Sequence, residues 1–428
     1  MHRRMFVVVL GAVLLGSCSN QTTPLEAEAS TADPQVASAE PAATQDAAQR
    51  DGATPGRHPG PSVAFGDPLS GLTADELALF EEGKLAFEEA EDAADGLGPV
   101  FNEASCVACH LGPVVGGSNG RLETRFGRRN ADGTFDPLAS EGGSLLQDHG
   151  IGDVGGFSFG PEVVPAGANV VAQRRTTPLF GLGLVDATPD DRIRSIAEKQ
   201  ARSVPGMAGT LAMVPDVFTG GMAVGKFGWK NQIPTLLQFS ADAYLNEMGI
   251  TSPKFPDENC PQGRCEDLAH NPLPTLNDTD GADVLAFANF MTFLAPPPRG
   301  PGTDRTRAGE RLFATIGCAV CHVPTLVTGP HPVKALDRVE YHPFSDFLLH
   351  DMGGLGDGIV QGAAGARQIR TAPLWGLRVA ESLLHDGRAS TPLEAILAHD
   401  GQARRSRSRF MALGDRDREA LLAFLDSL

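Results

Sequence analysis

The sequence predicts a mainly α protein built as two tandem domains of one kind, with long loops and little sheet. Three observations carry that prediction. The pentapeptide Cys-x-x-Cys-His occurs twice, at Cys106-Val107-Ala108-Cys109-His110 and at Cys318-Ala319-Val320-Cys321-His322. Other segments recur in the same order around both copies. The composition, 50 Gly and 32 Pro in 428 residues with 6% aromatics, describes a loop-rich chain rather than a bundle of long regular helices.

The pentapeptide is the attachment signature of c-type haem. Two thiols at this spacing meet the two haem vinyl groups as thioethers, and the adjacent His brings an imidazole under the iron. With 7 Cys and 11 His, about 0.003 copies are expected by chance, so two copies are signal. A zinc site or a redox dithiol would use the same Cys-x-x-Cys. Zinc would need further paired ligands, and the other nearby pair is Cys260 and Cys265. The expected cofactors are two covalently bound haem c groups, held by Cys106, Cys109 and His110 and by Cys318, Cys321 and His322. The halves are then class I cytochrome c-like domains.

Residues 1–17 read as a lipoprotein signal peptide. His2, Arg3 and Arg4 precede an apolar run, Met5 to Leu15, that is short for a membrane span. Leu15-Gly16-Ser17-Cys18 resembles the bacterial lipoprotein box, making Cys18 the expected lipidation site; an ordinary secretory signal is the alternative. Residues 18–70, rich in Ala, Thr, Pro, Ser, Gln and Glu, predict a disordered tether. The expected location is periplasmic, on a membrane-anchored lipoprotein of the outer membrane, with membrane contact through the lipid alone. The net charge of −18 argues against nucleic acid as a partner. In an oxidising compartment Cys260 and Cys265 are expected to form a short-loop disulfide.

The N-terminal haem domain is placed at 71–295. Thr73-Ala74-Asp75-Glu76 is a capping box that opens a helix carrying Leu77, Phe80 and Phe87. The C-terminal haem domain, 296–428, starts after Ala295-Pro296-Pro297-Pro298-Arg299-Gly300 with a helix over 306–315. Leu145-Leu146-Gln147-Asp148-His149-Gly150 repeats as Leu348-Leu349-His350-Asp351-Met352-Gly353. Arg175-Thr176-Thr177-Pro178-Leu179 repeats as Arg370-Thr371-Ala372-Pro373-Leu374, and each half closes on an amphipathic helix, 280–294 and 415–428. The paired Arg175 and Arg370 suit haem propionates. The first half carries an insertion, roughly 204–274. Pro113 and Pro324 follow the two motifs, and a Pro carbonyl at such a place can accept from the imidazole Nδ1–H.

Five further segments carry a family resemblance: Leu97-Gly98-Pro99-Val100-Phe101-Asn102, Gly225-Lys226-Phe227-Gly228-Trp229-Lys230, Met248-Gly249-Ile250-Thr251-Ser252, Leu348 to Gly353, and Leu383-Leu384-His385-Asp386-Gly387-Arg388. Over about residues 72–428 the chain resembles the di-haem oxidoreductases, also called thiol oxidoreductases, relatives of bacterial di-haem cytochrome c peroxidases. In those peroxidases the second haem's distal Met lies fourteen residues after the His of His-Asp-Gly. The matching residue here is His399, so the resemblance implies a His322/His399 pair, with His350 and Met352 as rivals. The peroxidases' removable distal His of the first haem falls at Phe126. That implies an open first haem, with His149 as the remaining candidate from a loop.

The resemblance also implies a distal acid after Arg175-Thr176-Thr177-Pro178. Asp186 is the nearest, then Glu162 upstream, with Gln173, Arg174 and Arg175 as polarising groups. An aromatic relay between haems is implied, for which this chain offers Trp229 and Trp375. Calcium lies between the domains of the peroxidase relatives; a Ca2+ is the further cofactor this leaves room for, with no ligands assigned. The expected function is peroxidase-like chemistry at the first haem and electron transfer through a bis-His second haem. Hydrogen peroxide or another small oxidant is one partner. A small cytochrome or cupredoxin is the other, as electron donor or acceptor. The competing classes are a pure electron carrier with both haems six-coordinate, and a sensing lipoprotein that uses haem as a ligand switch.

Overall fold

Helix outweighs strand in the computed structural model, 36% to 15%, and the strands lie in small sheets of two or three. The structure describes residues 64–274 and 276–428. The signal peptide, Cys18 and the tether up to residue 63 lie outside the described residues. Residues 64–70, the last of the expected tether, are described and make contacts with the rest of the chain. Phe65 packs edge-on against Phe180 at 5.7 Å, and the Leu69 N–H donates to Phe293 O at 2.7 Å. Phe65 and Leu69 are partly buried against the larger core.

Two helix pairs dominate. In the first, α1 (Ala74–Glu88) begins at the predicted capping box, in which Thr73 and Glu76 bond reciprocally. It buries Phe80 and Phe87 against α5 (Ala282–Phe293), with Phe80 5.4 Å and Phe87 5.0 Å from Phe290. Leu77 stays exposed. The helices approach at Gly83, where a Cβ would lie 2.2 Å from Ala286 O. In the second pair, α6 (Asp304–Thr315) crosses α9 (Asp415–Leu425). Gly309 makes the same close approach, 2.0 Å from Ala420 O, and Phe313 packs 5.3 Å from Phe424. Each crossing thus uses Gly-x-x-x-Phe: the Gly admits the partner backbone and the Phe, one turn on, covers the imidazole that follows. Phe87 lies 5.8 Å from His110 and Phe313 6.1 Å from His322.

Along the chain, α2 (Leu182–Asp186), α3 (Asp190–Ser203) and α4 (Leu236–Met248) lie between α1 and α5, and α7 (Pro392–Ala398) and α8 (Arg404–Met411) lie between α6 and α9. The largest sheet pairs strand Leu122–Arg129 with Phe135–Asp136 on one side and Val170–Arg175 on the other. The larger core takes residues from both sides of the expected boundary at 295/296, including Leu326, Tyr341, Phe347 and Trp375 alongside Phe80 and Phe287. A smaller core gathers Phe313, Phe344, Phe410 and Phe424.

A buried ion cluster ties the two parts of the sequence. Arg174 Nη2 lies 2.7 Å from Asp357 Oδ2, and Lys230 Nζ lies 2.8 Å from Asp357 Oδ1. Lys230 also donates to Gln368 O at 2.7 Å. Burial pushes the Lys230 ammonium down to about 8. Burial alone would raise the Asp357 carboxyl, but Arg174 and Lys230 outweigh it and hold it below the ordinary range. Cys260 and Cys265 are disulfide-bonded.

Candidate functional site

Both pentapeptides fold as one tight 3-10 turn, Cys106–Ala108 and Cys318–Val320. The His110 N–H donates to Cys106 O at 3.1 Å, and the His322 N–H to Cys318 O at 2.9 Å. Each turn presents two thiols and an imidazole to a large cavity. The empty space is about 1230 Å³ at the first and about 1900 Å³ at the second, in each case including space open to solvent.

The ring nitrogens are already assigned. His110 Nδ1 donates to Gly117 O at 3.2 Å and His322 Nδ1 to Phe344 O at 2.9 Å. The acceptors are therefore not the carbonyls of Pro113 and Pro324. Both Nε2 atoms keep a free lone pair for a metal. Burial pushes each imidazole down to about 4, so both are neutral.

In the second cavity a further imidazole opposes the first. His399, at the end of α7, has its ring centroid 6.4 Å from that of His322. Its Nδ1 donates to Ala395 O at 2.7 Å, again leaving Nε2 free. His322 and His399, each presenting an unused Nε2 in the same cavity, are the residues that would hold one iron between them. The rival His350 is committed: Nε2 lies 2.9 Å from Asp346 Oδ2, and Nδ1 3.6 Å from Cys321 Sγ. Cys321, Asp346 and His350 come close enough to hold a metal among themselves; a thioether at Cys321 would remove the thiolate from that set. Met352 lines this cavity too.

The first cavity is different. No His besides His110 lines it. His149 is exposed, stacked on Phe101 and paired with Asp148. Phe126 is buried within its strand and does not reach the cavity. Facing the cavity are instead Glu123, Arg125, Asp242 and Glu247. Glu123 and Arg125 are two apart on one strand and so share a face; Arg125 Nε lies 3.0 Å from Glu123 Oε1. Asp242 and Glu247 come from α4, and Asn102 donates to Glu247 Oε2 at 2.7 Å. Burial would raise the Glu123 carboxyl, but Arg125, helped by Arg174, holds it below the ordinary range. Burial, and then the charge of Glu123, push Glu247 up to about 7; burial pushes Asp242 up to about 6. Sequence reasoning missed all four. The alternation in Glu123-Thr124-Arg125 was the available signal.

Two expected catalytic residues are not brought to either cavity. Asp186 ends α2 and sits by the start of α4, with Lys226 Nζ donating to its backbone O at 3.2 Å; burial pushes its carboxyl up to about 6. The chain turns at Gly181, which carries Asp186 away from the Arg175 segment. Gln173 points outward from its strand and is exposed. Glu162 binds the backbone N–H groups of Gln147 and Gln262 and lines neither cavity.

Arg175 lines both cavities, and Arg370 lines the second. Arg175 donates to Ser118 Oγ and to Ser382 O, and its Nε has no partner. Arg370 donates to Gly228 O at 2.8 Å with no carboxylate beside it. Arg370 has no carboxylate to offset its burial and Arg175 has only the charge of Glu381, so both guanidiniums fit the anionic edge of a haem. Trp229 lines both cavities as well, its indole N–H donating to Arg175 O at 2.8 Å and its ring 6.2 Å from His385. Trp375 lines only the second, packed 6.1 Å from Tyr341.

Two cavities, each on a Cys-x-x-Cys-His turn with a neutral imidazole and a buried arginine, define a two-haem redox protein. The chain belongs to the di-haem oxidoreductases: the family described as "Di-haem oxidoreductase, putative peroxidase" matches residues 167–428. The family carries two haem groups. No curated protein sequence matches. Among solved structures, a MauG-like protein associated with microbial copper homeostasis is 15% identical at a TM-score of 0.39, covering 88% of this chain and 94% of that one. Hydrazine synthase of Kuenenia stuttgartiensis is 14% identical at 0.37, over 89% and 100%. The diheme peroxidase BthA of Burkholderia thailandensis is 15% identical at 0.38, over 82% and 86%. Among the described residues no helix is long and apolar enough to cross a membrane.

Proposed function

We propose that this chain is an exported di-haem peroxidase-type oxidoreductase in which the two haems have different jobs. The observation that carries this reading is the asymmetry of the cavities. The second offers His399 opposite His322. The first offers a carboxylate and arginine cluster and no second imidazole.

The haems would be joined through Cys106 and Cys109 and through Cys318 and Cys321, with His110 and His322 as proximal ligands. Each half would be a class I cytochrome c-like domain, which the repeated Gly-x-x-x-Phe helix crossing supports. A bis-imidazole iron carries electrons; an iron with an open position can take a small oxidant such as hydrogen peroxide. Around the first haem the side chains would manage protons. Glu123, ionised beside Arg125, accepts a proton from the bound oxidant at its carboxylate. Glu247, protonated, donates one to the leaving oxygen, and Arg125 stabilises the negative charge that develops. Arg175 and Arg370 would hold propionates. Trp229, shared by both cavity walls, would pass electrons between them. The electron donor would be a small redox protein. Lipidation at Cys18, a periplasmic site and a bound Ca2+ remain part of the proposal on sequence grounds alone.

The second reading, a carrier with both haems six-coordinate, draws on Met248 and Met291, whose side chains line the first cavity. Spectra of the ferric holoprotein separate the two. One high-spin and one low-spin haem, with cyanide shifting only the first, is the expected result. Two low-spin haems inert to cyanide would leave the carrier standing.

A further inference from the structure

The arginine run on an otherwise acidic chain lies on α8, and that helix has two faces. Ser406, Arg407 and Phe410 line the second cavity. Arg404, Arg405 and Arg409 line a surface cleft on the other side, whose far bank is Ser203 to Met207. No Asp or Glu is among the residues lining this cleft, although the whole chain carries −18. Arg404 is tied to Asp400, its Nε donating to Oδ1 at 2.9 Å. Arg405 and Arg409 are exposed.

The cleft also touches the second haem's attachment turn. Arg409 Nη1 donates to Ile316 O at 3.4 Å, two residues before Cys318. Gly317 lies between, at φ +99°, and a Cβ there would meet Ser406 Oγ at 3.0 Å and Arg409 Nη1 at 3.6 Å. Met207 lines both the cleft and the cavity. The cleft floor is thus one side chain away from the second cofactor site.

We propose that this arginine cleft is the docking surface for a small acidic redox protein that supplies electrons to the second haem. The inference rests on the reading of that haem as the electron-transfer centre. An acidic partner is repelled by most of this surface and attracted at the cleft, so the field both orients it and raises its on-rate. In each encounter the partner's metal loses one electron and the second iron gains it; no bond or proton moves. An anionic lipid surface shares the charge. A concave cleft with two banks suits a protruding protein edge better than a lipid plane, and the chain's net charge opposes approach to such a plane.

The test uses oxidised plastocyanin, an acidic copper protein, as the probe and follows oxidation of the second haem of the dithionite-reduced holoprotein in stopped flow, since the same surface carries the electron in either direction. At low ionic strength Arg405→Glu should lower the second-order rate constant by about tenfold, and Arg405→Gln by less. Salt should bring the wild-type rate toward that of the Glu variant. Dithionite should reduce the second haem equally in all three proteins, which shows that the substitutions leave fold and cofactor intact. Equal plastocyanin rates for wild type and Arg405→Glu at low salt would overturn the proposal. So would arginine-dependent binding to phosphatidylglycerol vesicles with no arginine effect on the plastocyanin rate. A second haem that dithionite leaves ferric would overturn the electron-transfer reading beneath it, and the docking proposal with it.

Discussion

The rings of His322 and His399 lie 6.4 Å apart, centroid to centroid, and their planes meet at 55°. Each holds its Nδ1 proton on a backbone carbonyl, Phe344 for one and Ala395 for the other. His399→Ala should convert the low-spin ferric signal of one haem to high-spin and leave the other haem's spectrum unchanged. His399→Met should stay low-spin and raise that haem's potential, because thioether favours ferrous iron relative to imidazole. Electron paramagnetic resonance and a redox titration read both outcomes.

Proton handling at the first haem has its own signature. Glu247 is pushed up to about 7 by burial and then by Glu123. The rate of reaction with peroxide should therefore be highest below pH 7 and fall as pH rises through that value. Glu247→Gln should abolish that limb and lower the rate by roughly 10²-fold or more. Glu123→Gln should lower the rate across the whole range. Asp186→Asn should do neither, since Asp186 sits by the start of α4. Stopped-flow spectra across pH decide between them.

Trp229→Phe should slow electron exchange between the haems while both keep their ligand spectra. Trp375→Phe should leave that exchange unchanged, because its ring lines one cavity only. Freeze-quench spectra after a single peroxide addition report the difference.

Asp357 neutralises two buried cations, Arg174 and Lys230. Asp357→Asn strands both and should cost about 3–5 kcal/mol of stability, seen as an early unfolding transition. The sign of the pH effect follows from the depressed carboxyl. Asp357's contribution is complete above the ordinary Asp range and is lost only as pH falls through its lowered pKa. Acid should therefore close the gap between variant and wild type.

Much of the site was legible because it is local. A pentapeptide needs no partner to declare itself, and the capping box at Thr73 marks the start of α1 by its own bonds. His399 was reachable by counting from a neighbouring motif. What was hidden depends on distant segments meeting. Glu123 and Arg125 lie in a strand that precedes its sheet partner, while Asp242 and Glu247 lie in a stretch that reads as an insertion. That insertion instead supplies α4, one wall of the first cavity. Asp186 shows the converse: it is near Arg175 in sequence, but after the turn at Gly181 it sits by the start of α4 and lines neither cavity. The Gly-x-x-x-Phe repeat was visible in both halves, but its meaning emerges only where Gly83 and Gly309 meet a partner backbone.

The late position of α4 sets an order of assembly. Until the exported chain has folded as far as Leu236–Met248, the first thiol pair lacks the helix that walls its cavity. The cofactor pocket is open by construction during that interval, and a bulky macrocycle can enter sideways without prying apart packed helices. Docking of α4 would then seal a site already furnished, so that the incompletely folded chain, rather than a breathing motion of the finished protein, would provide the entrance.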